Sequence, residues 1–339
     1  MTEDEVHKLA KKGIADGKPI NGNVVETHIS WVILTEDFAY KIKKPIKLSF
    51  LDYTSLESRR ENCKKEIELN SRYSPIYLAV VAIKIFKDEW ILGGEEGQPV
   101  DFAVKMKRMD SSIQMDALLK KTDVHISRMK SLAEVIGSFH AQTKITRHPF
   151  KLAEATELFN DLAQVSELVS KELGGYFHNI INESILWSDA FLTHHQRRIE
   201  ERVERGFQRD VHGDLHSGNI FLFDKPILFD GIEFSEEFRQ IDLLYEVAFL
   251  CMDLEAFDRP DLSKSFLAYY TTLVPCFEVD EDQAIFNYYK CLRANIRAKV
   301  HAVSSGQVHD EKSKLDHLVE TKKYLVLMEG YMNFRFSIF

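Results

Sequence analysis

The sequence predicts an α+β protein of two lobes. Residues 1–108 read as a five-stranded antiparallel sheet with one helix, and residues 109–339 as a mainly helical lobe. Three observations carry this. The chain has 339 residues, more than a single hydrophobic core ordinarily organises. Strand-like segments fill the first part, and helical periodicity takes over after residue 111. The helical part is interrupted once, around residues 212–230, by a Gly- and Asp-rich stretch with short apolar runs.

Composition bounds the class. Hydrophobic residues at 45% and charged ones at 29% are the balance of a soluble globular protein. A net charge of −9 argues against a sequence-independent nucleic-acid surface. No run approaches the roughly 18 apolar residues that span a bilayer, so no membrane partner is expected. Residues 1–10 are polar and acidic with no apolar run behind them, unlike a secretory signal. Cys63, Cys251, Cys276 and Cys291 are scattered without C-x-x-C spacing, which reads as reduced thiols and no zinc site. A cytoplasmic enzyme is the expected class, and nothing in the sequence specifies an oligomeric state.

In order along the chain, residues 31–35 alternate as a strand, Glu36 and Asp37 make a turn, and 38–43 return. Residues 54–72 form a helix, opened by Thr54, Ser55 and Glu57 and ended by Ser74 and Pro75. Strands follow at 78–86, 90–92 and 100–107, and residues 106–110 cross to the second lobe. Helices are expected at 126–142, 154–173, 180–208, 238–253, 262–273 and 282–303. The charge run from Gln196 to Arg209 reads as a solvated helix face.

The chemistry concentrates in residues 212–219, which read HGDLHSGN, and in Asp230, which closes the run Ile227, Leu228, Phe229. Asp214 and Asn219 stand five apart on one loop, and a short hairpin brings Asp230 back beside them. D-x-x-x-x-N followed by Asp at a strand end is the layout of phosphoryl transfer. One Asp takes the acceptor hydroxyl; Asn and the second Asp hold Mg²⁺. Turns attract Gly, Asp and Asn for backbone reasons alone. Three such residues at the required offsets between apolar walls favour chemistry.

This stretch resembles the catalytic loop of the aminoglycoside phosphotransferase-like kinases, which share a fold with choline kinases and, more distantly, protein kinases. That family's loop reads H-G-D-x-H-x-x-N, and its metal Asp lies in a D-x-x-E run. Here His212, Gly213, Asp214, His216 and Asn219 match the first, and Asp230 and Glu233 the second. The resemblance implies a two-lobed protein-kinase-like fold, with ATP and Mg²⁺ used on a small-molecule hydroxyl acceptor. It implies Asp214 as catalytic base and Asn219 and Asp230 as metal ligands. His212 then fixes the loop from behind and His216 faces the acceptor. Glu233 either supports the metal shell through water or makes a helix-start or loop hydrogen bond. An acid at Asp242 braces the loop structurally.

The nucleotide residues follow from the same resemblance. Ala39, Tyr40 and Lys41 match the A-x-K end of the kinase strand whose Lys contacts the α/β-phosphates. Lys41 and Lys43 share one strand face; the A-x-K match selects Lys41, the bland alternative being two solvated edge-strand lysines. The helix 54–72 should supply its partner, Glu61 or Glu66, and the apolar neighbours Ile67, Leu69 and Tyr73 select Glu66. No Gly-rich phosphate motif occurs. Its place holds Glu26, Thr27, His28, Ile29 and Ser30, so backbone N–H groups and the Ser30 hydroxyl are expected at the phosphates. Adenine is expected to bond backbone at the crossing, between Met106 and Met109.

The resemblance covers roughly residues 20–330, and the segment around residues 27–45 resembles an uncharacterised bacterial branch. Members of that branch carry an extra P-loop kinase domain in some cases; this chain is expected to act as a single module. Arg293 and Arg297, i and i+4 on one helix, either grip an anionic acceptor or pair with Asp242, Asp253 or Glu255, and the second reading is preferred. His140 is expected to pack against the catalytic loop. The aromatic tail 331–339 is expected to dock on its own lobe, with a dimer contact as the alternative. Two rival functions stand beside the small-molecule kinase. A non-catalytic, pseudokinase-like nucleotide-binding module usually lacks the residues present here. A protein Ser/Thr kinase needs a longer segment than the seven residues after Asp230.

Overall fold

A computed structural model describes residues 1–48, 50–308 and 310–333; the tail residues Phe334, Phe336 and Phe339 lie outside the described residues. The chain divides into two compact units. The first is Met1–Lys121 with His212–Asp214 and Gly218–Arg239; the second is Thr122–Val211, Leu215–Ser217 and Gln240–Phe339.

The first unit opens with helix α1, Glu3–Lys12, closed at its start by a capping box between Thr2 and Glu5. Val6, Leu9 and Ala10 stand at i, i+3, i+4 and are buried, so the polar N-terminal stretch hides a narrow apolar stripe. Strands β1 (Ile14–Ala15), β2 (Lys18–Pro19), β3 (Asn23–Glu26), β4 (Ser30–Leu34) and β5 (Phe38–Lys43) follow. A small hairpin pairs β6 (Lys47–Leu48) with β7 (Leu51–Asp52). Helix α2 is Leu56–Asn70, its Ser55 cap accepting from Ser58 N at 3.0 Å. Strands β8 (Tyr77–Phe86), β9 (Glu89–Leu92) and β10 (Gln98–Lys107) complete the sheet.

Its order is β2-β1-β9-β8-β10-β5-β4-β3. This corrects the expectation of five antiparallel strands. All five are present, but the sheet has eight strands, and β1 runs parallel to β9. The added strands escape a sequence reading for physical reasons. Two are only two residues long, too short to show alternation, and β3 is mostly solvent-facing.

Alternation along the central strands decides what each face carries. Trp31, Ile33, Tyr40 and Ile42 pack with Val6 and Leu9 of α1. Val32, Leu34, Ala39, Val104 and Met106 cluster on the opposite parity with Cys63 and Ile67 of α2. Lys41 and Lys43 share the parity of Ala39 and so stand on the α2 face. The same unit holds the hairpin Ile220–Phe221 with Ile227–Leu228, in register Ile220 to Leu228. A four-residue helix, Glu236–Arg239, begins six residues beyond Asp230.

The second unit is helical: Arg128–Gln142, Leu152–Asn160, Ser166–Leu173, Gly175–Glu204, Leu243–Ala256, Pro260–Leu273, Asp280–Gln307 and Glu311–Met332. The expected helix 154–173 is two helices parted by a 3₁₀ stretch, Asp161–Val165. The last helix was not expected: only Leu318, Thr321, Tyr324, Leu325 and Met328 are buried along its 22 residues. It joins a core with Ile180, Ile181, Met252, Ile285 and Tyr288.

The charge run in Gly175–Glu204 is not wholly solvated, which corrects a second expectation. Arg202 is 0% exposed and Arg198 6%. Arg202 bonds both oxygens of Asp242 at 2.7 and 2.8 Å, and its other nitrogen meets Asp282 at 2.9 Å. Arg198 reaches both oxygens of the same Asp282 at 2.8 Å. A buried charge must be paired, and these partners are 40 and 84 residues away in sequence. The four cysteines are free and buried. Among the described residues no helix is long and apolar enough to cross a membrane.

Candidate active site

Helix α2 turns a polar stripe inward. Arg59, Cys63, Glu66 and Asn70 are its buried residues, spaced for one face. Glu66 meets both lysines of β5: its Oε1 accepts from Lys41 Nζ at 2.9 Å and its Oε2 from Lys43 Nζ at 2.7 Å. Glu61 is half-exposed and pairs with Lys64. Lys41 Nζ also reaches Asp230 Oδ1 at 2.5 Å. Lys43 Nζ donates to Glu233 Oε1 as well, and the Tyr53 hydroxyl donates to the same oxygen at 2.9 Å.

Burial opposes charge throughout this cluster, and the pairing outweighs it. Burial raises the Glu66 carboxyl, but Lys41 and Lys43 bring it down to about 2. Burial likewise works against the charge of Lys41, yet Asp230 and Glu66 hold its pKa well above the usual lysine value. Lys43 is held up in the same way, by Glu233 and Glu66. Lys41, Lys43 and Glu66 are therefore held in their charged forms.

The loop and hairpin are laced by backbone bonds. His212 Nε2 donates to Phe229 O at 2.8 Å, and His212 Nδ1 accepts from Asp214 N at 3.2 Å. A carbonyl only accepts, so the ring carries its proton on Nε2. Ile232 N adds a bond to His212 O at 3.0 Å. His212 thus ties the backbone at Asp214 to the return segment at Phe229 and Ile232. Gly213 sits at φ +85°, and a Cβ there would lie 2.7 Å from Phe238 O; only glycine fits.

Asn219 Nδ2 donates to Asp214 O at 2.9 Å and to Asp214 Oδ2 at 3.0 Å, while Phe229 N donates to Asn219 O at 3.0 Å. Asp230 has φ +61°, in the left-handed region that few non-glycine residues adopt. It is held from outside. Its N–H donates to the Tyr77 hydroxyl at 2.9 Å. The next residue is gripped by Asn70, whose Oδ1 accepts from Gly231 N at 2.8 Å and whose Nδ2 donates to Gly231 O at 3.2 Å.

These residues suit a hard divalent cation. With both Asn219 amide bonds to Asp214 made through Nδ2, its Oδ1 remains as an oxygen donor, and the Asp230 side chain is 43% exposed. Among the described residues no group of three or more His, Cys, Asp or Glu side chains is arranged to hold a metal. Mg²⁺ usually keeps several waters and is bound by one or two carboxylates plus substrate phosphates; Asp230 would supply the carboxylate and Asn219 Oδ1 a further oxygen.

The remaining expected residues fall as follows. Ser30 is buried beside Lys43 in the β4–β5 register, and among the described residues its Oγ has no hydrogen-bond partner. Thr27 closes the β3–β4 turn in place of a Gly-rich loop, its Oγ1 accepting from Ser30 N at 3.0 Å. Met106 is buried, with Met109, Ile227 and Phe229 packed around its cluster. In the second unit the His216 ring lies 5.2 Å from Phe249. His140 bonds the Tyr270 hydroxyl at 2.8 Å.

Asp242 caps the helix Leu243–Ala256 through Leu244 N. The acid bonded to the loop backbone is instead Asp253, which accepts from Ser217 N at 2.8 Å. Arg293 stacks over Tyr245 and Phe249, 3.9 and 4.6 Å from the ring centres. Arg297 lies over Tyr324. Of the acids expected for these arginines, Glu255 pairs with Lys290, Asp242 with Arg202, and Asp253 accepts from Ser217 N. Sequence reasoning missed Asn70, Tyr53, Tyr77 and Asp253. Asn70 and Asp253 stand at inward helix positions, Tyr77 opens β8 and Tyr53 lies on the β7–α2 connection, so no local pattern marked them.

No family model matches the chain. Three mycobacterial proteins are 30% identical over 326 residues, 92% of this chain: Uncharacterized protein Mb2027c of Mycobacterium bovis, and MT2060 and Rv2004c of Mycobacterium tuberculosis. The chain spans 62% of the length of these relatives. Among solved structures it is similar to a choline/ethanolamine kinase family protein from Mesorhizobium loti, with TM-score 0.55, 14% identity, and 97% and 100% of the two chains covered. It is also similar to a choline kinase from Cryptosporidium parvum Iowa II, at 0.54 and 12% identity over 98% and 97%. The GDP and kanamycin complex of APH(2")-IIia matches at 0.52 and 14% identity over 96% and 99%. The chain therefore has the protein-kinase-like fold. Within it, its fold is that of the aminoglycoside phosphotransferase and choline kinase group.

Proposed function

We propose that the chain is a phosphotransferase that moves the γ-phosphate of ATP, with Mg²⁺, to a hydroxyl of a small molecule. The observation that carries this reading is the convergence of Asp214, Asn219 and Asp230 on one hairpin, with Lys41 bonded to both Asp230 and Glu66. In this reading residues 1–108 chiefly bind nucleotide and 109–339 supply the catalytic loop and acceptor site.

Asp214 orients the acceptor hydroxyl and takes its proton as the oxygen bonds to phosphorus and the bond to ADP breaks. Asn219, turned by its bonds to Asp214, and Asp230 hold Mg²⁺, which when bound neutralises charge on the phosphates. Lys41, aimed by Glu66, binds the α/β-phosphates, with backbone N–H groups of the Thr27–Ser30 turn beside them; the Ser30 side chain, expected there too, is fully buried. The apolar cluster at Met106 and Met109 receives the base. His212 keeps the loop in register, and His216 faces the acceptor. Glu233 is a bracing residue, bonded to Lys43 and Tyr53. The enzymatic reading is favoured over a pseudokinase-like module because the acid, the metal pair and the lysine–glutamate pair are all present and bonded.

The test is ATP consumption with Mg²⁺ across aminoglycosides, amino-alcohols, sugars and sugar acids, with Asp214→Asn and Asp230→Ala alongside. Turnover on one acceptor that falls by about a thousandfold or more in both variants, with folding intact, is the expected result. Near-normal turnover in either variant removes that residue's role. Absence of any Mg²⁺-dependent nucleotide binding overturns the reading.

A further inference from the structure

Lys41 is asked to do two things that compete. It is bonded to Asp230, yet in the proposed reaction Asp230 holds the metal and Lys41 the phosphates, so this contact gives way when nucleotide binds. Glu66 is then the anchor left to aim Lys41. A carboxylate held through one oxygen turns about its last torsion; one held through both oxygens by two ammonium groups does not. The second ammonium is Lys43, on Glu66 Oε2 at 2.7 Å.

Lys43 is 0% exposed, so it is no phosphate ligand. Its other carboxylate partner is Glu233, three residues beyond Asp230. Asp230 sits at positive φ, a conformation that persists only where its surroundings enforce it. One ammonium thus ties helix α2 to the segment carrying the metal ligand, with Tyr53 closing the contact from the β7–α2 connection.

We propose that Lys43 is a positioning residue: by clamping Glu66 to Glu233 it keeps Lys41 aimed and Asp230 set as the Lys41–Asp230 contact is exchanged for Mg²⁺ and phosphate. This rests on the phosphotransferase reading and names a residue outside the metal, phosphate and acceptor contacts. A buried ion pair is a weak source of stability compared with apolar packing, so its value here is geometric.

The test uses Lys43→Met, Glu233→Gln and the double variant. For each, urea unfolding is measured together with the Mg²⁺ dependence of binding of a fluorescent ATP analogue, and with kcat and KM once an acceptor is known. Loss of a residue that holds a metal ligand from behind commonly costs about 10–100-fold in metal affinity or activity. Each single variant should therefore need about tenfold more Mg²⁺ for half-maximal binding. kcat should fall and the acceptor KM stay put. The double variant should be no worse than Lys43→Met in Mg²⁺ dependence, while regaining stability because no unpaired charge is left. If Lys43→Met does not fold, Glu233→Gln, which keeps the shape, carries the same readouts. Wild-type Mg²⁺ dependence in the folded single variants overturns the clamp, as does catalysis that returns with stability in the double. A wild-type protein that binds no Mg²⁺-nucleotide fails at the earlier step, and both readings fall.

Discussion

Replacing Asn70 by alanine removes a side chain that behaves like a short piece of strand. Its amide accepts from Gly231 N at 2.8 Å and donates to Gly231 O at 3.2 Å, and Asn70 itself is 0% exposed. The Tyr73 hydroxyl donates to the same Oδ1 at 2.6 Å. Alanine leaves both polar groups of the Gly231 backbone without these partners. A buried donor or acceptor left unmet costs about 1–3 kcal/mol. Two such groups, partly relieved by water entering the vacated space, give an expected loss of about 2–4 kcal/mol. Urea unfolding should show a lower midpoint at unchanged slope. Because Gly231 follows Asp230 directly, Mg²⁺-dependent nucleotide binding should weaken too, while any metal-independent binding is kept. A loss below about 0.5 kcal/mol, the size of an ordinary surface substitution, with unaltered Mg²⁺ dependence would refute a role for Asn70 in holding the Asp230–Gly231 segment.

Two further outcomes follow from the same geometry. Gly213→Ala places a Cβ 2.7 Å from Phe238 O at φ +85°. It should destabilise the protein by about 1–3 kcal/mol and lower kcat by displacing Asp214, as urea unfolding and turnover will show. In the second unit, burial raises the Asp282 carboxyl, but Arg198 and Arg202 outweigh it and bring it down to about 2. Its folded pKa lies below the ordinary carboxylate value, so the stabilisation is complete above about pH 4 and is lost as the pH falls toward 2, about 2 kcal/mol in all. Asp282→Asn should flatten the stability–pH curve in that window, measured by denaturation at a series of pH values.

What could be read from the chain differed by distance along it. The loop from His212 to Asn219 and the return at Asp230 are local: a few residues at set offsets and two short apolar runs bring Asp214, Asn219 and Asp230 onto one hairpin. The same holds for Lys41 and Lys43, which alternation alone sends to one face of β5. Where local pattern is absent, reading failed. Strands of two residues show no period, so alternation alone yields five strands and not eight. The helix Glu311–Met332 buries only a thin line of residues and passed unnoticed. The buried Arg198 and Arg202 looked like a solvated face because their acids lie far away in sequence.

The sequence by itself determined the chemistry on offer: an acid, an amide and a second acid at kinase spacing, and two lysines in phase on one strand. Tertiary structure alone decided how they are paired. It put both lysines on the one Glu66 carboxylate, gave Lys43 to Glu233, set Asn70 against the Gly231 backbone and made Asp253 the acid that holds Ser217. Each of these is a pairing of buried polar groups. Desolvation forces such groups to find partners, and which partner lies within about 3 Å depends on how distant elements pack.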